Sequence, residues 1–199
     1  KDDNIIDVVK KYTQEIIKEN DIVFISEKVV AITQGRAYPV DEIKARPLAR
    51  FLSRFVTKTP AGIGLGIPET MEMALRECGV LRILFAAVVS FFGKLIGRRG
   101  DFYRIAGYKA SSIDGPTPNT LPPYNRYVVL GPENPDKVAM EISESIKAQV
   151  AIVDINDLGG NILGTSHKEM DRKKLLGILK DNPLGQSSEQ TPIGIIREI

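Results

Sequence analysis

The sequence predicts an α+β fold of mixed sheets with flanking helices, and three observations predict it. Apolar patterns of helical spacing alternate with short β-branched runs along the chain. One run, Val150 to Val153, is apolar without alternation, as expected of a strand covered on both faces. Long loops rich in proline and glycine interrupt the pattern, and such loops are where a fold carries its site. No internal repeat or flexible linker divides the 199 residues, so 1–199 is expected to form a single domain or two small lobes.

Taken in order, Asp2 or Asp3 caps a first helix whose Ile5, Ile6, Val9, Tyr12, Ile16 and Ile17 fall near helical spacing. Ile22 to Ile25 is a strand, and the β-branched run Val29 to Thr33 reads as a second, with a turn at Gly35. Ala37 to Val40 is extended. A helix starts at Asp41 and restarts at Pro47, carrying Leu48, Phe51, Leu52 and Phe55. Residues 60–68 hold too many glycines for regular structure. Pro68 suits the first turn of a helix that runs to Cys78 and stops at Gly79. Val80 to Ile96 is helical, and a strand lies near Phe102 to Ile105. A proline-rich loop, Asp114 to Asn125, precedes the strand Tyr127 to Leu130. Asn134 and Pro135 cap and start a helix through Ile146. Beyond the central strand, a helix around Lys168 to Leu179 leads to the last strand at Pro192 to Ile196.

Hydrophobic residues make up 43% of the chain and charged ones 26%, ordinary for a globular protein, and a net charge of +2 gives no general case for nucleic acid. Arg98 and Arg99, with Lys94 and Arg104, form a local basic cluster that a solvated face explains. The single Cys78 offers no internal disulfide, packs as a small hydrophobe and fits a cytoplasmic location. The chain opens on Lys1 without a signal peptide or a methionine, which leaves room for a short upstream segment. Ile83 to Gly93 is apolar but about half the length of a spanning helix, so a buried helix or a partner-facing surface is expected there and no membrane.

The chemistry gathers where Val150–Val153 empties into Asp154, Asn156 and Asp157, then Gly159 and Gly160. Hard oxygens at a strand exit suit Mg²⁺ or Mn²⁺, and paired glycines let the backbone turn and approach a ligand. An Asx-type turn accounts for the same residues. Gly62, Gly64 and Gly66 lack the dinucleotide-fingerprint spacing and follow a helix. Gly160 to Ser166 resembles the end of a P-loop without its lysine. His167 has no second histidine or cysteine nearby, which argues against zinc. Lys28 is either a point charge for phosphate or an exposed strand-end lysine. Gln186, Ser187 and Ser188 suit a phosphate nest or an exposed turn. Arg36 and Arg197 are open between ion pairs and phosphate contacts.

Four blocks stand in one order. They are Asp21 through Ser26, Glu27 and Lys28 to Gly35 and Arg36; Ile105 to Asp114; the acidic turn from Asp154 to Gly159; and Leu184, Gly185 and Gln186 through Pro192 to Arg197. Their order and spacing resemble the γ-glutamyl ligase family that adds glutamate to the deazaflavin coenzyme F-420. Gly131 to Asp136 is similar to a P-x-D-P-D loop of that family.

The resemblance implies a deazaflavin γ-glutamyl ligase-like fold, a homodimer, GTP as co-substrate, and Mg²⁺ or Mn²⁺. A carboxylate would be phosphorylated, and the amino group of L-glutamate would displace the phosphate to form a C–N bond. It implies Asp114 as the first metal aspartate. In the third block Asn156 falls at the family's metal aspartate and Asp157 at its adjacent threonine, so Asp154, Asn156 and Asp157 share the metal assignment. Ser26 and Lys28 fall at nucleotide-binding positions; Asn119 stands in, several positions late, for a family asparagine; Gln186 and Ser187 complete the nucleotide set. This chain departs from the pattern at Gly115 to Pro118, where serine-asparagine is expected, and at Ile32, which replaces a basic residue. Much of the stretch between the third and fourth blocks is also missing. Metal–phosphate chemistry therefore carries over better than the deazaflavin acceptor.

The expected function is a metal-dependent, GTP- or NTP-using amide ligase. The alternative is a non-catalytic nucleotide- or metal-binding scaffold that keeps the fold, motivated by Asn156, Ile32 and the shortened C-terminal part. Expected partners are a nucleotide, a small carboxylate or amino acid, and a second copy in a two-fold homodimer that buries part of residues 83–92 or neighbouring strands.

Overall fold

In the computed structural model, which describes residues 3–56, 63–118, 120–156, 159–183, 185 and 191–197, the chain divides into two units, 1–36 with 132–199 and 37–131. The elements in chain order are α1 (Ile5–Thr13), β1 (Ile22–Ser26), α2 (Glu27–Thr33), β2 (Ala37–Pro39), α3 (Pro47–Ser53), α4 (Pro68–Cys78), α5 (Val80–Leu95), α6 (Asp101–Ala106), α7 (Tyr108–Ser111), β3 (Tyr127–Val129), α8 (Pro135–Ile146), β4 (Gln149–Asn156), β5 (Gly159–Thr165), α9 (Arg172–Ile178) and β6 (Ile193–Ile196). The mixed α+β class agrees with the sequence.

The first unit is organised by a four-stranded sheet in the order β5-β4-β1-β6. β1 runs parallel to β4, with Ser26 opposite Val153, and the other two pairings are antiparallel. Val23, Ile25, Val150 and Ile152 face one layer, packing with Val9 of α1, Val30 of α2 and Ala139 and Ile142 of α8. Phe24, Ala151, Val153 and Ile155 face the other, with Leu175 of α9 and Leu179 beyond it. The unalternating run at Val150 is thus covered on both faces. Each large aliphatic side chain buried this way contributes about 2 kcal/mol of transfer free energy.

Three local expectations are corrected in this unit. The first helix is capped by Asn4, whose side chain accepts from Ile6 N at 2.9 Å. Residues 29–33 are helical, although their β-branched content favours a strand. The chain leaves β1 at Ser26 in extended conformation, Glu27 sits in the first turn, and Gly35 adopts φ +73°. Arg36 N donates to Ala31 O (2.9 Å) and Gly35 N to Ile32 O (3.0 Å), closing the helix with a Schellman motif. Packing of Val30 and Ala31 overrides strand propensity. Finally, the glycine-rich stretch after the acidic turn is strand β5. Gly160 is required there because a Cβ would collide with Ile155 and lie 2.8 Å from Asp154 O. At Gly164 a Cβ would meet the backbone of Pro135 and Asp136 at the start of α8. Gly164→Ala should therefore force α8 away from β5 and cost about 2 kcal/mol, visible as an earlier denaturation midpoint.

The second unit pairs β2 with β3 and gathers α3 to α7 around a core that includes Leu65, Met71, Leu75, Ile83, Ala106 and Leu130. Pro68 at the start of α4 and Gly79 at its end (φ +82°) act as the sequence suggests. Two expectations are corrected. The segment from Asp41 makes only one 3-10 turn, Val40–Glu42, because Pro47 holds Arg46 extended (ψ 158°) and delays the helix. The strand expected near Phe102–Ile105 is helix α6, bracketed by Gly100 and Gly107, both at positive φ. Asp101 fixes its first turn by accepting from Arg98 (3.0 Å) and Arg104 (2.6 Å). Cys78 packs beside this core, and burial pushes its thiol up, as befits a packing residue.

Among the described residues no single helix is long and apolar enough to cross a membrane. α4 and α5 reach the required length only together, across a bend of 116°, and α4 is largely buried in the core.

Candidate functional site

Parallel pairing of β1 and β4 brings two of the sequence blocks to one edge of the sheet. β1 ends at Ser26 and β4 continues past Val153 to Asp154, so both chains arrive at the carboxyl ends of parallel strands. That edge is where open sheets of this kind place ligands. β6 enters at the same edge, with Pro192 O accepting from Ser26 N at 2.9 Å. Three separate stretches of sequence thus reach this edge on adjacent strands, with β1 between β4 and β6.

Lys28 lies in the first turn of α2 and is half-buried, so of the two sequence alternatives the exposed strand-end lysine does not hold. α2 packs on β1 and β4, on the layer that holds Val30 with Ile152. Side chains alternate along β4, so Asp154 belongs to the same face as Ile152. Asp154 is half-buried and stands opposite Asn161 of β5. Directly opposed antiparallel residues carry their Cβ atoms about 5 Å apart on one face. An aspartate and an asparagine are therefore neighbours on one face. No local motif marks Asn161 in the sequence; its signal is positional, because pairing of β5 with β4 places residue 161 across from 154.

Asn156 ends β4 opposite Gly159. Gly159 and Gly160 are explained by this hairpin, through a φ of +137° and the close approach to Asp154 and Ile155. Asp157, Asn119, Gln186 and Ser187, with Ser188, lie outside the described residues. Asp114 belongs to the unit 37–131. Its backbone pairs with Val129 in both directions, N to O at 2.8 Å and O to N at 2.9 Å. Asp154 and Asn156 belong to the other unit.

The two arginines left open by the sequence are engaged by carboxylates. Arg36 donates to Glu133 at 2.8 Å, while the Gln34 amide bonds the Glu133 backbone both ways (2.9 and 2.8 Å). The loop 131–136 is thereby tied to the end of α2. Arg197, just past β6, grips the buried Asp21 with Nε at 2.8 Å and Nη2 at 2.6 Å. The Arg197 hydrogen bonds outweigh burial, with help from Lys18 N, and lower Asp21 from its ordinary 3.8 to about 2. A carboxyl depressed on folding stabilises fully above its unfolded value and loses that contribution as pH falls through the folded value. Acid denaturation between about pH 4 and pH 2 should therefore be steeper in the parent chain than in Asp21→Asn, as followed by circular dichroism.

Among the described residues no three histidine, cysteine or acidic side chains form a metal cluster. The donors present at the β1–β4 edge are oxygens. Mg²⁺ commonly takes only one or two protein carboxylates, keeps several waters and completes its shell with substrate phosphates. Asp154 and Asn161 suit that ion better than zinc, which prefers nitrogen and sulfur.

The family model described as F420-0:Gamma-glutamyl ligase covers residues 1–157, which takes in the first three blocks and ends within the acidic turn. The fourth block lies beyond the matched range. No curated protein matches the chain significantly.

Proposed function

The chain belongs to the F420-0:gamma-glutamyl ligase family, and on that premise we propose that it is a GTP- or NTP-using, Mg²⁺- or Mn²⁺-dependent amide ligase. The observation that carries this reading is the convergence of Ser26, α2 with Lys28, and Asp154 at the carboxyl edge of the parallel β1–β4 pair. Lys28 would place a positive charge near nucleotide phosphate. Asp154 with Asn161 would supply hard oxygens for the metal, and Asp114 is a metal ligand by the family resemblance alone. When bound, the metal would neutralise phosphate charge. In the reaction, a carboxylate oxygen of the acceptor attacks the γ-phosphorus and GDP leaves. The amine of L-glutamate then attacks the acyl carbon, losing a proton as phosphate departs. A two-fold homodimer is part of this proposal, and light scattering should then give twice the 21.9 kDa chain mass.

Isothermal titration with GTP and GDP in the presence of Mn²⁺ tests the reading. Binding should be measurable and metal-dependent; no heat from any nucleotide at millimolar concentration would sink it. Asn156 at the family's metal-aspartate position and Ile32 in place of a basic residue favour a second reading, a non-catalytic scaffold. Nucleotide affinity unchanged in both Asp114→Ala and Asp154→Ala would favour that scaffold.

A further inference from the structure

α5 sits on the core of its unit through Ile83, Ala86 and Gly93, the last with the Asp101 carboxylate directly over it. Its opposite side is apolar and open. Leu81, Phe85, Val88, Phe92 and Leu95 recur at spacings of four and three and are between 53% and 83% exposed. Phe91 and Ile96 widen the strip to well over a third of the helix circumference, more than a narrow helix-pairing seam needs. At 100° per residue Arg82 and Lys94 fall on its flanks, leaving no charge on the strip itself. The exposed ring pair Phe51–Phe55 adjoins its C-terminal end, where Lys94 Nζ donates to Phe55 O at 3.4 Å.

Charge decides what covers this face. The unit 37–131 holds 13 Lys and Arg against 7 Asp and Glu, whereas the rest of the chain holds 14 against 18. Two of those seven acids, Glu72 and Asp101, are buried against Arg46, Arg76, Arg98 and Arg104, so Arg98 meets solvent from within an ion pair, while Arg99 is not among these partners. Lys94, Arg98 and Arg99, all exposed, follow the aromatic end of the strip. A second copy docked here would oppose one cationic unit to another. An anionic lipid surface would accept both the apolar strip and the flanking cations.

We propose that α5 is an interfacial anchor that lies in the plane of an anionic bilayer surface, with Phe85, Phe92 and Leu95 among the acyl chains and Lys94, Arg98 and Arg99 at the headgroups. The sequence-based expectation of no membrane rested on the length of the segment. Length bears on spanning, not on lying in the interface. The inference is independent of the ligase reading.

Flotation of the full chain with vesicles tests it. The chain should rise with vesicles containing about one-third phosphatidylserine, stay behind with phosphatidylcholine alone, and be released by high salt. Phe85→Glu combined with Phe92→Glu should abolish flotation at unchanged thermal midpoint, since both side chains are exposed. Arg99→Glu should weaken binding about tenfold without touching the apolar strip. Failure to rise with either vesicle would overturn the proposal. So would a lipid-free dimer that the double phenylalanine variant splits into folded monomers, which would make the strip a subunit interface.

Discussion

Asp114→Ala should leave a folded chain whose metal-dependent turnover falls at least about a hundredfold, the order lost when charge stabilisation in a phosphoryl-transfer site is removed. The backbone part of how Asp114 is held survives the change. Its bonds to Val129 are made by backbone N and O, and an alanine preserves both. The neighbouring Gly115, close to Thr70 and Ile63, is also unaffected. Loss of turnover should come with weaker Mn²⁺-dependent nucleotide binding, measured by titration, and with an unchanged far-ultraviolet dichroism spectrum. Turnover at the parent rate would show that Asp114 holds no catalytic metal.

Glu72→Ala should destabilise the unit 37–131 by about 3 kcal/mol, the lower end of the range for breaking a buried ion pair. Glu72 is 2% exposed in α4. It accepts from Arg46 Nε (3.0 Å), from Arg46 N (3.1 Å) and from Arg76 Nε (2.9 Å). Burial alone would raise this carboxyl, yet the hydrogen bonds from Arg46 and Arg76 hold it below its ordinary value. Truncation strands the Arg46 amide and opens space beside the core. Both guanidinium groups keep nearly half their exposure and can return to water, hence the lower end. A thermal midpoint lowered by roughly 10 °C would be expected for a chain of this size. Glu72→Gln keeps the shape and should recover part of the loss.

Local chemistry decided how legible the fold was. Pro68 and Gly79 bracket α4 and Pro135 starts α8, and those signals act within a few residues. The continuous apolar run at Val150 made a doubly covered strand visible. α2 and α6 were harder, because Val29, Val30, Ile32 and Thr33, and the aromatic pair Phe102–Tyr103, favour strands by propensity. Their helical signals were the caps: Ser26–Glu27 with Gly35, and Asp101 between Gly100 and Gly107. β5 has almost no propensity of its own. It exists because β4 offers a ladder and because Gly160 and Gly164 permit close packing.

The candidate site shows the same division. Asp154 and Lys28 could be nominated from their residue types and motif spacing. That they share a sheet edge depends on a parallel pairing between residues more than a hundred positions apart, which no local signal encodes. Asn161 was invisible for the same reason. Conversely, the sequence leaves Arg36 and Arg197 open between ion pairs and phosphate contacts, because their partners Glu133 and Asp21 are distant in the chain.

The most direct measurement is a coupled one. The full chain is incubated with the glutamate-free deazaflavin acid, L-glutamate, GTP and Mn²⁺, and mass spectrometry follows acceptor and nucleotide together. A ligase of this family should add glutamate to the acceptor with one GTP converted to GDP and phosphate per amide bond, and Asp154→Ala should stop both. An unmodified acceptor with GTP left intact would contradict the proposed function.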